Sequence, residues 1–271
     1  IIIHTYHGFG FHEGQFFVVR WLYRWIERRC AQFCTTHQIF VSKANMIRAE
    51  EAGLTNWCEG TLIHSGVDLR SFPAPIDAAE FKMSKGIGRH RKLVLSVGNF
   101  KPQKNPADFV AAAAVVCKKV PDATFVFLGD GPLRTEMQAK VLGWGLNERV
   151  LFPGWSLEVP KWLAAADVFA LCSLWEGLPR SLVEAMKSGV APVCYATDGV
   201  TDILNDEENG LLIPKRKVKA LADGIIRLLE DDVLRKRLAA SAAKTIGPEF
   251  DIDEMVRTQE RLYSRCQWQA A

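Results

Sequence analysis

The chain has 271 residues, 48% of them hydrophobic and 24% charged, which describes an ordinary globular protein of one large or two modest domains. A net charge of +3 is too small to support a nucleic-acid partner, and no apolar run is long enough to cross a bilayer. Seven scattered cysteines (30, 34, 58, 117, 172, 194 and 266) form no CxxC pair and no zinc-like spacing, so reduced thiols in a cytosolic protein are expected, with no metal and no cofactor.

The chain opens without methionine on Ile1-Ile2-Ile3, which runs into His4-Thr5-Tyr6-His7-Gly8 and reads as an internal strand; the chain is expected to be a fragment. A glycine-rich loop (Gly8, Gly10, Gly14) leads to a long amphipathic helix, about Phe16 to Cys34. Its aromatic and aliphatic residues are interrupted by Arg20, Arg24, Arg28 and Arg29, and the first three share a face at i, i+4, i+8. Such a helix suits a peripheral membrane contact, and it equally suits a buried helix whose arginines reach solvent. Gln38–Ser42 and Thr61–His64 read as strands, with a helix over Lys43–Glu51 between them. Gly66-Val67-Asp68 then turns the chain into a polar, proline-containing stretch, so residues 1–70 are expected to form one unit and 71–92 a linker.

From Leu93 short apolar strands alternate with amphipathic helices. Strands are expected at Leu93–Val97, Thr124–Leu128, Val150–Phe152, Val168–Leu171, Val190–Cys194 and Leu211–Ile213. Helical periodicity lies between them, which predicts a doubly wound parallel sheet, covered on both faces, over 93–250. A last helix over 251–271 is expected to pack back on the N-terminal part.

In such sheets ligands bind beyond the carboxyl ends of the strands, and three loops there carry candidate chemistry. Gly98-Asn99-Phe100-Lys101-Pro102-Gln103-Lys104-Asn105-Pro106 places two lysines at a helix start, which suits a diphosphate, although a solvated loop has the same composition. It is not a dinucleotide fingerprint, since GxGxxG is absent. Gly129 and Gly131 permit a tight turn or the close approach of a ligand, and the backbone near Trp155 is placed to bond the edge of a base. The third loop, Glu176-Gly177-Leu178-Pro179, is followed on a helix by Glu184, whose carboxylate is placed to accept two ribose hydroxyls. On spacing alone both glutamates also fit plain turn and surface roles. His7, at a strand end, is a candidate of the same kind, and the histidines near it match no zinc signature.

Taken together these residues resemble the family 4 (group 1) glycosyltransferases of the GT-B fold. The resemblance rests on His4-Thr5-Tyr6-His7-Gly8, Val41-Ser42-Lys43, Gly66-Val67-Asp68, Val97-Gly98-Asn99 with Lys104, Gly129-Asp130-Gly131, Glu176-Gly177-Leu178-Pro179, Glu184-Ala185-Met186 and Asn209-Gly210-Leu211-Leu212. It implies an α/β, GT-B type chain: a doubly wound, Rossmann-like C-terminal domain plus a partial N-terminal Rossmann-like domain. It further implies retaining transfer of a hexosyl group from a nucleoside diphosphate sugar to a hydroxyl, without a metal; the aromatic-basic helix suits a glycan or lipid-linked acceptor at the inner face of the cytoplasmic membrane. By resemblance Glu184 holds the ribose, Glu176 with Gly177, Leu178 and Pro179 meets the donor sugar and phosphate, and Lys104 neutralises the diphosphate. His7 reaches the reacting sugar. Asn99 stands where the family has an arginine, and Lys101 is a candidate to supply that charge. A sugar-nucleotide-binding module without activity and a sugar-nucleotide epimerase are the competing readings.

Overall fold

The computed structural model describes residues 1–11 and 14–270, with side chains to Gln267. Its first unit is a parallel sheet with helical crossovers: β1 (Ile3–Tyr6), α1 (Phe17–Phe33), β2 (His37–Phe40), α2 (Lys43–Glu51) and β3 (Glu59–Leu62), in the order β1-β2-β3. Ile3 pairs with His37 and His37 with Glu59. Strand β2 therefore stops short of the expected Ser42, because Ser42 is taken as the N-cap of α2: its Oγ accepts from the Asn45 amide at 3.1 Å.

The second unit runs through α3 (Ala78–Ser84), β4 (Lys92–Val97), α4 (Pro106–Lys119), β5 (Ala123–Leu128), α5 (Arg134–Gly143), β6 (Val150–Gly154), α6 (Val159–Ala165) and β7 (Val168–Leu171). It continues with α7 (Arg180–Lys187), β8 (Ala191–Tyr195), α8 (Asp198–Thr201), β9 (Leu211–Ile213), α9 (Val218–Glu230) and α10 (Asp232–Thr245). The six strands are all parallel in the order β6-β5-β4-β7-β8-β9, so the winding reverses between β4 and β7. That reversal opens a crevice at the carboxyl ends of the two central strands. Alternate side chains of one strand enter opposite cores: Val94 packs with Phe109, Val116 and Ile225 of α4 and α9, while Leu93 and Leu95 pack with Trp162, Leu163 and Met186 of α6 and α7.

Two expectations are corrected. The stretch taken as a linker contains α3, capped by Asp77, whose Oδ1 accepts from the amides of Ala79 and Glu80. Phe81 meets the Trp162 ring edge-on at 5.2 Å, and Lys82 is buried against Asp167 at 3.1 Å, so this segment belongs to the second core. The other correction concerns α1. Its arginines do not all reach solvent: Arg24 and Arg28 donate to the Glu51 and Ala52 carbonyls at 2.7 and 2.6 Å, satisfying the orphan acceptors at the end of α2. Only Ala31 of α1 is buried, while Trp21, Trp25 and Phe33 are 64%, 45% and 70% exposed. Within the basic stripe Arg24 and Arg28 are turned to α2 while Arg20 is exposed, and the aromatic stripe faces outward.

The last helix, α11 (Ile252–Ala270), returns to the first sheet. Leu262 and Cys266 pack with Ile39 and Ile63, and Val67 exchanges backbone hydrogen bonds with Phe250 and Ile252 at 2.9 and 3.0 Å. Gly66 is required there, because a Cβ would stand 2.5 Å from Ile252 Cα.

Candidate active site

Strands β4 and β7 are neighbours, so the loops leaving them are brought side by side at the crevice. They are joined three times. The Leu174 amide donates to the Gln103 carbonyl at 2.8 Å, Gln103 Nε2 donates to the Trp175 carbonyl at 3.0 Å, and Lys104 Nζ meets Glu176 Oε1 at 2.5 Å. Glu176 is only 8% exposed, so this is a largely desolvated ion pair. Gly98 allows it: a Cβ at 98 would press on the Lys104 stem at 3.3 Å. Asn105 takes a left-handed conformation (φ 48°), which asparagine tolerates, and Pro106 then opens α4 where its missing N–H costs nothing.

The remaining glycines of the site hold loops against loops. A Cβ at Gly129 would stand 2.0 Å from the Gly98 carbonyl oxygen, and one at Gly131 would stand 2.8 Å from that of Phe100. Both have positive φ, so a side chain there would be strained as well as crowded. Asp130 receives the Gly131 amide at 2.7 Å and pairs with Arg134 at 3.0 Å; Arg134 also donates to the Phe152 carbonyl. Arg134 was not singled out in the sequence, where it reads as an ordinary first-turn residue of α5. Trp155 follows β6, two strands from β4, with its ring 74% exposed at the rim. Asn99 is half-buried; Lys101 is exposed, and among the described residues its ammonium meets no carboxylate.

Gly177 is where the two units touch. A Cβ on it would stand 2.0 Å from the His7 carbonyl oxygen and 3.1 Å from Val41, while its own carbonyl lies 1.5 Å from where Gly199 would carry a Cβ. Its loop is thus enclosed between the end of β1 and the start of α8. The His7 side chain is exposed, Leu178 is buried in the core, and Pro179 caps α7. Lys104 and Glu176 are therefore paired, and Gly177, next to Glu176, lies against the His7 backbone. Further along α7, Glu184 is half-buried, and its carboxylate accepts no hydrogen bond among the described residues. Burial pushes its carboxyl up to about 7, partly opposed by the charge of Arg180. Two contacts that fix the units were not legible in the sequence: Arg48 pairs with Asp198 at 2.7 Å, and the Ala44 amide at the start of α2 donates to Asp202 at 3.1 Å.

Among the described residues no group of three His, Cys, Asp or Glu is arranged to hold a metal, and no helix is long and apolar enough to cross a membrane.

Two facing units of parallel sheet and helix, with the crevice between them, define the GT-B architecture. Residues 77–245 match the family model described as glycosyl transferases group 1, and the chain belongs to that family. It is 31% identical over 97% of its length to the UDP-Gal:alpha-D-GlcNAc-diphosphoundecaprenol alpha-1,3-galactosyltransferase of Escherichia coli, of which it covers 68%. The C-terminal domain of a group 1 glycosyl transferase (LpcC) from Francisella tularensis superposes with a TM-score of 0.63 at 27% identity, covering 69% of this chain and all of that one. A third likeness, to Anabaena Alr3699/HepE in complex with UDP-glucose, has a TM-score of 0.84 at 22% identity over 97% of this chain and 72% of that one; it bears on the fold alone. The chain spans 68%, 60% and 49% of the length of three relatives that it matches.

Proposed function

We propose that this chain carries the donor site of a retaining hexosyltransferase, which moves a sugar from a nucleoside diphosphate to a hydroxyl of a glycan or lipid-linked acceptor. The observation that carries the reading is the buried Lys104–Glu176 pair at the switch point, enclosed by the His7 loop of the facing unit. Departure of a nucleoside diphosphate builds negative charge on phosphate oxygens. Lys104, the start of α4 and the first-turn amides of α7 supply preorganised positive potential there without a metal, an electrostatic task worth several kcal/mol in a dry site. Lys101 and Asn99 flank the same helix start. Glu184, with no competing donor, accepts the ribose hydroxyls, and Glu176 with the Gly177 and Leu178 amides orients the sugar. Gly98, Gly129 and Gly131 keep the backbone close to the nucleotide, and Trp155 closes the rim on the base side.

His7 faces the transferred sugar from the opposite unit. No protein nucleophile is assigned; the leaving phosphate deprotonates the acceptor on the same face of the sugar, which retains configuration. The outward aromatic stripe of α1 gives the protein a peripheral contact with the cytoplasmic face of a membrane. Names of relatives support the class: the Escherichia coli protein is a galactosyltransferase acting from UDP-galactose. Incubation with UDP-hexoses and an acceptor, with the product anomer read by NMR, tests the proposal. An axial donor giving an axial product supports it; inverted product, or epimerised donor without transfer, overturns it.

A further inference from the structure

Tyr195 ends β8 with its side chain fully buried in the core under α4 and α9, in one cluster with Phe109, Cys172 and Ile225. A phenol at that depth needs a hydrogen-bond partner, and this one finds it on a distant element. Its OH donates to Asp108 Oδ2, in the first turn of α4, at 2.8 Å. Strand β7 lies between β4 and β8, so the bond crosses the end of β7 and ties the start of α4 to β8. Burial, and then the bond to the Asp108 carboxylate, push the phenol's pKa up, so it stays a donor.

Asp108 is the acidic residue of that first turn, and it stands at the third helical position after the N-cap Asn105. A carboxylate there ordinarily turns back on the unpaired amides of its own helix start and neutralises their positive end. In this chain it does not. Helix α4 has no side-chain cap, and its first residue, Pro106, has no N–H. The next amide, that of Ala107, donates to no acceptor among the described residues. The one local carboxylate suited to cap this end is held by Tyr195 instead, and the helix start beside Lys104 is left open.

We propose that Tyr195 is a positioning residue for the donor: it draws the Asp108 carboxylate off the start of α4 and so keeps that amide end free for the diphosphate. This rests on the donor-site reading and adds to it a pair that touches neither sugar nor base. Tyr195 acts through Asp108, and Asp108 acts through the charge and the openness of the helix start. Without the phenol, Asp108 is half-buried, charged and unrestrained, and it competes with phosphate for the same amides. That competitor is tethered, so even a weak self-cap is felt by a ligand in solution.

Titration calorimetry with UDP on the full chain, with thermal unfolding run beside it, tests the proposal. Tyr195→Phe removes a single oxygen and is expected to weaken UDP about 5–10-fold, the scale of one helix cap. Adding Asp108→Ala to it removes the competitor and should bring UDP affinity back to within about 2-fold of the unsubstituted chain. This rescue separates positioning from packing, because a phenol that only stabilised the fold would leave the double variant as weak as the single one. Asp108→Asn alone, whose amide oxygen still accepts from Tyr195, takes a negative charge away from the helix start and should bind UDP at least as tightly. Unchanged UDP affinity in Tyr195→Phe overturns the inference, and so does a double variant that stays weak. If Tyr195→Phe does not fold, Asp108→Asn decides: affinity equal or higher supports the inference, and weaker binding overturns it. An unsubstituted chain that binds no UDP overturns the donor-site reading and this inference together, whereas UDP binding that no variant moves overturns this inference alone.

Discussion

The backbone of Gly177 rests on the backbone of His7: a single methyl group on residue 177 would stand 2.0 Å from the His7 carbonyl oxygen. Residue 177 follows β7 in the second unit and residue 7 follows β1 in the first, so this contact sets how closely the two units approach at the crevice. Gly177→Ala is therefore expected to push the units apart without emptying either core. The expected cost is about 1–3 kcal/mol of stability, as for other overpacking substitutions, with a far larger loss of transfer, on the order of 100-fold in kcat/KM. Thermal unfolding beside steady-state kinetics checks it; a stable variant with normal kcat/KM would show that the contact is incidental.

The Lys104–Glu176 pair makes opposite predictions for one and two substitutions. Lys104→Met leaves a buried carboxylate unpaired and should destabilise the protein by about 3–5 kcal/mol. Adding Glu176→Gln to it should recover most of that loss, because the uncompensated charge is gone, yet restore no transfer. Denaturant unfolding of the two singles and the double forms the required cycle. Additive effects on stability would mean that the two groups are not coupled.

Glu184 predicts a pH dependence with a definite sign. Its folded carboxyl titrates near 7, against 4.5 for the ordinary group, because burial disfavours the charge. Between those values the folded chain holds a proton that the unfolded chain has lost, so Glu184 makes stability fall as pH rises through that window and level off above it. The total is at most ~3 kcal/mol for a shift of this size. Glu184→Gln should flatten this part of the profile. A ligand diol that donates to the carboxylate favours the ionised form, so affinity for UDP should also decline as pH drops below about 7 in the unsubstituted protein. Stability profiles of the two proteins that coincide from pH 5 to 8 would rule the assignment out.

Helix α1 presents Trp21, Leu22, Trp25, Ile26 and Phe33 outward while Arg24 and Arg28 hold it to α2. Flotation with vesicles containing phosphatidylglycerol should carry the protein, and Trp21→Ala with Trp25→Ala should release most of it. Each buried indole contributes roughly 1–2 kcal/mol of partition, so the pair should lower the partition coefficient at least tenfold. Equal flotation of both proteins would place this face against something other than lipid.

Much of the second unit is legible in the sequence because its signals are local. Leu93–Val97 and Thr124–Leu128 are apolar runs bounded by turn residues, and β4 and β5 begin within one residue of them. Lys104 and Glu176 lie in the loops that leave β4 and β7, and Glu184 lies on α7. What was not legible depends on tertiary partners. Helix α3 is only seven residues long, and its Phe81 finds the Trp162 ring only after folding. The ion pair of Lys104 and Glu176 spans 72 residues, which no spacing rule covers. The arginine stripe of α1 is plain from its period, but the direction it faces is decided by the unsatisfied carbonyls at the end of α2.

The central claim is that Lys104, Glu176 and Glu184 form a nucleotide-sugar site, and titration calorimetry with UDP on the unsubstituted chain and on Glu184→Ala tests it most directly. Loss of two charge-assisted hydrogen bonds to ribose predicts UDP binding that is weakened at least about 100-fold by the substitution. UDP affinity that is the same in both proteins would contradict it.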